Sequence, residues 1–282
     1  MSRSQFGKIM TMVMAEILEE KESGMEKAVL PWSEFDSIKL GHSEMTIWAG
    51  KSGVGKSLLM YMLALSLAKQ GRTVVLNSPE MRATKIALSI SELFQMHKIK
   101  NYGDALEVNN TLSSLNEWLD GKLMICDDEK FPDMDAVIED IRESSAEGAT
   151  HYIMDNFMTI APKTSDYDDQ SEKIKRLVEI SKECRVHIHL VCHNKKDAKD
   201  VGRMDLILGS SNIVNMATNI FMLERGRESR EGMPTPSKLI GIKDRHGIGS
   251  TEKVALLNFN PVSGHLTKSF SPIDFRAIHN DN

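Results

Sequence analysis

The sequence predicts an α/β fold: a mostly parallel central sheet with helices on both faces, antiparallel strands at its C-terminal edge, and a helix ahead of it. Three observations predict this. From Pro31 to His193, apolar strand-like runs alternate with helical stretches. A glycine-rich turn joins the first of these strands to the first of these helices. After residue 219 the strand-like runs follow one another with no helix between them, as in an antiparallel addition to a sheet edge.

The elements follow in order. Phe6, Ile9, Val13 and Ile17 recur at helical spacing, the charged stretch Glu19-Glu20-Lys21-Glu22 follows, and Gly24 ends the helix. Such a stripe needs a partner, either its own domain or a neighbouring subunit. Residues 1–30 are therefore set apart as a linker helix and linker, residues 31–275 as the globular domain and residues 276–282 as a tail. Within the domain, strands are expected at 45–49, 73–78, 122–126, 151–155 and 187–193, and helices at 56–70, 82–97, 133–146 and 169–183. The antiparallel runs are 219–225, 237–243 and 253–259.

Composition narrows the classes. With 41% hydrophobic residues among 282 there is ample core for one large domain. No apolar run reaches the ~20 residues that a membrane span needs, and Met1-Ser2-Arg3-Ser4 opens no signal-peptide pattern. Cys126, Cys184 and Cys192 are too widely spaced for a zinc knuckle and too few for a disulfide framework. The expected compartment is reducing: the cytoplasm of a bacterium or of a phage-infected host cell, or an organelle matrix. A net charge of −5 excludes a basic exterior coated for DNA. It leaves room for a narrow channel lined by a few cations.

Gly50-Lys51-Ser52-Gly53-Val54-Gly55-Lys56-Ser57 fits G-x-x-x-x-G-K-[ST] between a strand and a helix, the setting the motif requires. The glycines let backbone N–H groups curl toward phosphate oxygens, and the helix N-terminus adds positive potential. Lys56 is placed to reach the β- and γ-phosphates of ATP or another nucleoside triphosphate, and Ser57 to ligate Mg²⁺.

The second Mg²⁺-binding carboxylate has two candidate strands. If Asp128 and Glu129, after 122–126, are the pair, Glu129 is the base and Asn156 a polar sensor, as in AAA+ proteins such as helicase loaders. If Asp155 is the partner, the base comes from elsewhere. Glu80, in Asn77-Ser78-Pro79-Glu80-Met81, ends a strand on the edge where open α/β sheets bind ligands. His193 then ends the next strand as a γ-phosphate sensor. This second scheme uses more of the polar residues at strand ends and is preferred.

These residues resemble a known family: the RecA-type motor domain of hexameric replicative DNA helicases. The likeness is closest to the phage primase–helicases and the mitochondrial Twinkle helicase, with the DnaB-like helicases more distant. It spans about residues 30–270 and is carried by Trp48-Ala49-Gly50 through Ser57, Ser78-Pro79-Glu80-Met81, Ile153-Met154-Asp155-Asn156, Val191-Cys192-His193-Asn194-Lys195, Leu223-Glu224-Arg225 and Lys243-Asp244-Arg245-His246-Gly247. The resemblance implies a RecA-like core and favours Asp155 over Asp128. It makes Glu80 the base that polarises the attacking water, Asp155 the residue that holds Mg²⁺, and His193 the phosphate switch. Arg245, with Lys243 near it, becomes an arginine finger into the next subunit. Arg225 and Phe259 match positions that sandwich the nucleotide base. Lys195 and Lys199 match a DNA-contacting loop, and Gly209 the start of a second.

Two departures weaken the DNA part. Leu208 stands where the phage relatives carry Arg, and the stretch Lys195–Arg203 includes Asp197 and Asp200 among its cations. The function implied is an ATP-driven hexameric ring moving 5′→3′ on single-stranded DNA, with primase and polymerase as separate partners and no primase domain ahead of residue 30. The alternatives are a RecA- or KaiC-like ATPase acting in recombination or on protein, and a helicase loader or regulator that unwinds nothing.

Overall fold

The computed structural model describes residues 27–126, 133–161, 167–194, 211–226, 235–247 and 253–277, together with 10, 11, 13 and 14. Among them, nine strands form one sheet in the order β11-β10-β9-β8-β3-β7-β6-β4-β5. β3 (Met45–Gly50), β4 (Val74–Asn77), β5 (Leu123–Ile125), β6 (His151–Met154), β7 (His187–His193) and β8 (Asn219–Glu224) are parallel. β9 (Ser237–Asp244), β10 (Lys253–Phe259) and β11 (Leu266–Thr267) continue beyond β8 as antiparallel neighbours. The antiparallel edge is where the helix-free C-terminal runs predicted it. A small separate pair, β1 (Ala28–Val29) with β2 (Lys39–Leu40), crosses the boundary drawn at residue 30.

The helices are α1 (Lys56–Lys69), α2 (Ala83–Gln95), α3 (Ala105–Leu119), α4 (Met134–Ala146), α5 (Tyr167–Cys184) and α6 (Ser211–Met216). Each strand alternates between two cores, one on either face of the sheet. Trp48, Leu76, Ile153, Val191 and Phe221 point toward α1, α2 and α3. Ile47, Val75, Met154, Leu190 and Met222 point toward α4 and α5. α1 is buried almost all round, from Leu59 to Ala68, as expected of a helix enclosed on every side rather than laid on a surface. Of the N-terminal stripe only Val13 is described. It is exposed, as are Met10 and Met14 beside it, so this turn does not pack on its own domain. Phe6, Ile9 and Ile17 lie outside the described residues.

The N-terminal ends of β3, β6 and β7 enclose a polar knot. His151, His187 and His189 are buried and mutually stacked, with ring centroids 4.5–5.5 Å apart. His187 donates from Nδ1 to the Gly41 carbonyl at 2.7 Å, so its Nε2 accepts from the Thr46 hydroxyl at 2.9 Å. Trp48 donates to His189 Nδ1 at 3.3 Å, leaving His189 Nε2 to donate to His151 Nδ1 at 3.1 Å. One tautomer of each ring satisfies these contacts. Burial holds all three below the usual histidine pKa, His187 at about 4. No helix among the described residues is long and apolar enough to cross a membrane.

Candidate active site

The phosphate loop leaves the C-terminal end of β3 in the middle of the parallel block. Gly53 and Gly55 hold φ of 74° and 102°, left-handed values at which a Cβ is strained. At Gly50 a Cβ would lie 2.7 Å from the Leu223 carbonyl of the neighbouring strand, so only glycine lets the loop start there. α1 begins at Lys56, whose side chain is buried. Its ammonium donates to the carbonyls of Gly50 at 3.0 Å and Lys51 at 2.8 Å and lies 3.2 Å from His193 Nδ1. Burial lowers the pKa of Lys56, and the Asp155 carboxylate opposes that shift.

Asp155 follows β6 and is buried; burial raises its pKa, while a hydrogen bond from Ser57 and the Lys56 charge pull it back. Ser57 and Asp155 thus present a hydroxyl and a carboxylate side by side, hard oxygen donors of the kind that hold Mg²⁺ beside phosphates. Glu80 lies beyond the end of β4, exposed at the crevice. Its carboxylate accepts from Asn156 Nδ2 at 2.7 Å, and the same Nδ2 lies 3.1 Å from His193 Nε2. His193 ends β7; burial lowers its pKa, and the Lys56 charge lowers it further. Glu80, Asp155, His193, Lys56 and Ser57, drawn from four separate segments of sequence, therefore meet at one edge of the sheet.

Arg225 and Phe259 line one cavity of about 670 Å³ that opens beside Gly53 and Gly55. Leu58, Leu266 and Phe270 add apolar wall. Phe270 is not expected from sequence, since it lies past the last strand-like run and nothing local marks it. Arg245 and Lys243 lie at the other edge. Asp244 pairs with Asn219 at the start of β8, and Arg245 N donates to the Thr218 carbonyl. The six residues of β8 separate this turn from the phosphate-loop edge, roughly 17 Å of strand. The exposed Arg245 guanidinium donates to the Asn215 carbonyl, and Lys243 divides its ammonium among the carbonyls of Val214, Asn215 and Ala217 at the end of α6. Neither cation meets this chain's own phosphate loop. Lys195, Lys199, Leu208 and Gly209 lie outside the described residues, as do Asp128 and Glu129.

The arrangement can cradle a polyphosphate on backbone N–H groups, neutralise it with Lys56, and set a carboxylate beside it to take a proton from water. Comparison with known proteins agrees. The AAA domain family matches residues 38–199, more than half of the 282 residues, and includes every strand-end residue named above from Gly50 to His193. No curated protein matches the sequence. Among solved structures, a helicase ATPase domain superposes with a TM-score of 0.74 at 16% identity, covering 95% of this chain and 99% of that one. A DnaB-like replicative helicase, described with its interactions with primase, superposes with a TM-score of 0.68 at 16% identity, covering 94% of this chain and 67% of that one. At these identities the likeness is one of fold, and it extends past the family match over nearly the whole chain. The chain belongs to the AAA domain family and is a P-loop NTPase, with the RecA-like fold that the ATPase domains of DnaB-like helicases share.

Proposed function

We propose that this chain is the motor of a ring-forming replicative DNA helicase, hydrolysing ATP between subunits to move 5′→3′ along single-stranded DNA, with primase as a separate partner. The observation that carries the reading is the separation of two half-sites. The phosphate loop, Glu80, Asp155 and His193 occupy the C-terminal edge of the parallel strands. Arg245 is exposed at the opposite edge, out of reach of its own loop. A closed ring brings each half-site against its complement on the next subunit. In that reading Ser57 and Asp155 hold Mg²⁺, which neutralises phosphate charge when bound. Lys56 steadies the β- and γ-phosphates, Glu80 takes the proton of the attacking water and His193 reads the γ-phosphate. Arg225 and Phe259 hold the base. Lys243 fixes the turn that carries Arg245 as the finger. Lys195, Lys199 and Gly209 belong to the loops that touch DNA inside the ring.

The test mixes two defective chains. Arg245→Ala has an intact site but no finger, whereas Lys56→Ala has a dead site and an intact finger. Each alone should be inactive, because an arginine finger contributes about 10³–10⁵ in rate. Co-assembled, they should recover part of the single-stranded-DNA-stimulated ATPase activity and of forked-duplex unwinding. Substantial turnover by pure Arg245→Ala sinks the finger. ATPase activity that ignores DNA and opens no fork points instead to a loader or regulator.

A further inference from the structure

We propose that Asn156 is a positioning residue that links the ring of His193 to the carboxylate of Glu80, so that withdrawal of Lys56 by a phosphate tethers the base. The inference rests on the ATPase reading above and adds to it a device for switching the base.

Asn156 is buried and its amide orientation is fixed. Its Oδ1 accepts from the backbone N–H of Met158 at 2.7 Å, and a backbone N–H can only donate. Nδ2 must therefore face the other way, toward Glu80 Oε1 at 2.7 Å and His193 Nε2 at 3.1 Å. It has two hydrogens, one for each. On the far side of the imidazole the Lys56 ammonium lies 3.2 Å from Nδ1. Lys56 and Asn156 are both donors, and a neutral imidazole has a single accepting nitrogen. His193 can thus accept from Lys56 or from Asn156, but never from both, and a protonated ring would accept from neither.

The three hydrogens of Lys56 are divided among Gly50 O, Lys51 O and His193 Nδ1. While Lys56 holds Nδ1, the ring proton is on Nε2, where it opposes the Asn156 amide and loosens the tether to Glu80. A phosphate that recruits Lys56 takes its hydrogen away from Nδ1. The ring then exchanges tautomer: one proton leaves Nε2 to solvent and one arrives at Nδ1, with no change of charge. Nε2 now accepts from Asn156, and the amide, held at both ends and at its oxygen, fixes Glu80. Phosphate occupancy is passed to the base through one side chain, without movement of the strands.

The test uses the full chain with ¹⁵N-labelled histidine, the His193 signals being assigned by comparison with His193→Gln. Binding of a non-hydrolysable ATP analogue with Mg²⁺ is measured by calorimetry on the same samples. The expected result is an Nε2-protonated His193 that becomes Nδ1-protonated on binding. Asn156→Ser retains a side-chain oxygen that can cap Met158 N but loses the amide hydrogens. It should bind the analogue within about threefold of wild type, fail to exchange tautomer, and lose about tenfold or more in kcat at nearly unchanged KM. Asn156→Asp, which sets an acceptor beside Nε2, should hold the Nε2-protonated form with or without analogue. Binding without a tautomer change in the wild type, or a normal change and normal kcat in Asn156→Ser, overturns the linkage and leaves the ATPase reading standing. Absence of binding by the wild type overturns both.

Discussion

Strand β7 carries His187, His189 and His193 on one face, and its two ends use them in opposite ways. At the N-terminal end, His187 and His189 join His151 in a closed knot whose hydrogen bonds pair each donor with an acceptor. At the C-terminal end, His193 stands between two donors and can satisfy one at a time. Residue type and strand face are the same. What differs is depth along the strand, and with it the choice of neighbours. A satisfied polar cluster fixes a fold, because any change leaves a buried group unpaired. A cluster with one hydrogen bond too many has two arrangements of similar energy, which is what a sensor needs.

The largest effect should come from the open end. Glu80→Gln keeps the shape of the base but cannot take a proton, so kcat should fall by about 10²–10⁴ while nucleotide binding persists. Glu129→Gln should change turnover little. Single-turnover hydrolysis of both variants checks this, and the reverse pattern would move the base to the strand end after β5.

The closed end should answer to acid instead. The three buried rings have pKa values below the unfolded value of about 6.5, His187 at about 4. Between those values the unfolded chain binds protons that the native chain refuses. Stability is therefore complete above pH 6.5 and is lost as pH falls toward 4. At pH 5 His187 alone should cost about 2 kcal/mol relative to pH 7.5. Urea unfolding at the two pH values measures this. His187→Gln should flatten the profile, though it also lowers stability at both pH values, whereas His193→Gln should leave the slope nearly as it was.

The smallest effect should come from the base cavity, which lies on solvent-facing elements. Arg225→Ala or Phe259→Ala should each weaken ATP binding about two- to fivefold, the value of one exposed ring or guanidinium contact. Binding of inorganic triphosphate should not change. Calorimetry with both ligands separates a base contact from a general loosening of the loop.

The contrast between the two ends also bears on what a sequence can reveal. The strands, the phosphate loop, and the meeting of Glu80, Asp155 and His193 are legible because each follows from local pattern plus one rule about strand ends. α3 escapes the periodicity. It buries only Thr111, Leu115 and Leu119, a stripe too narrow to stand out among Asn109, Asn110, Ser113 and Ser114. A signal is present even so, since Asp104 caps the helix by accepting from Leu106 N and Glu107 N, and Asp104 with Glu107 has capping-box spacing. The place of Asn156 has no such signal. Its partners lie 76 and 37 residues away, and no local pattern encodes a contact between strand ends. The grip of Lys243 and Arg245 on α6 is hidden for the same reason: their partners are backbone carbonyls about 26–30 residues earlier.

The all-round burial of α1 has a practical corollary. The helix that opens with Lys56 has the rest of its length inside the core, so the phosphate loop cannot come apart locally while the domain stays folded. A nucleotide that grips the loop therefore holds the whole domain together. At a hundred times its dissociation constant it should add about 2.7 kcal/mol to unfolding. A melting curve taken with and without nucleotide thus doubles as a binding isotherm, and it would report ligand preference for this chain before any assay of turnover or strand separation is in hand.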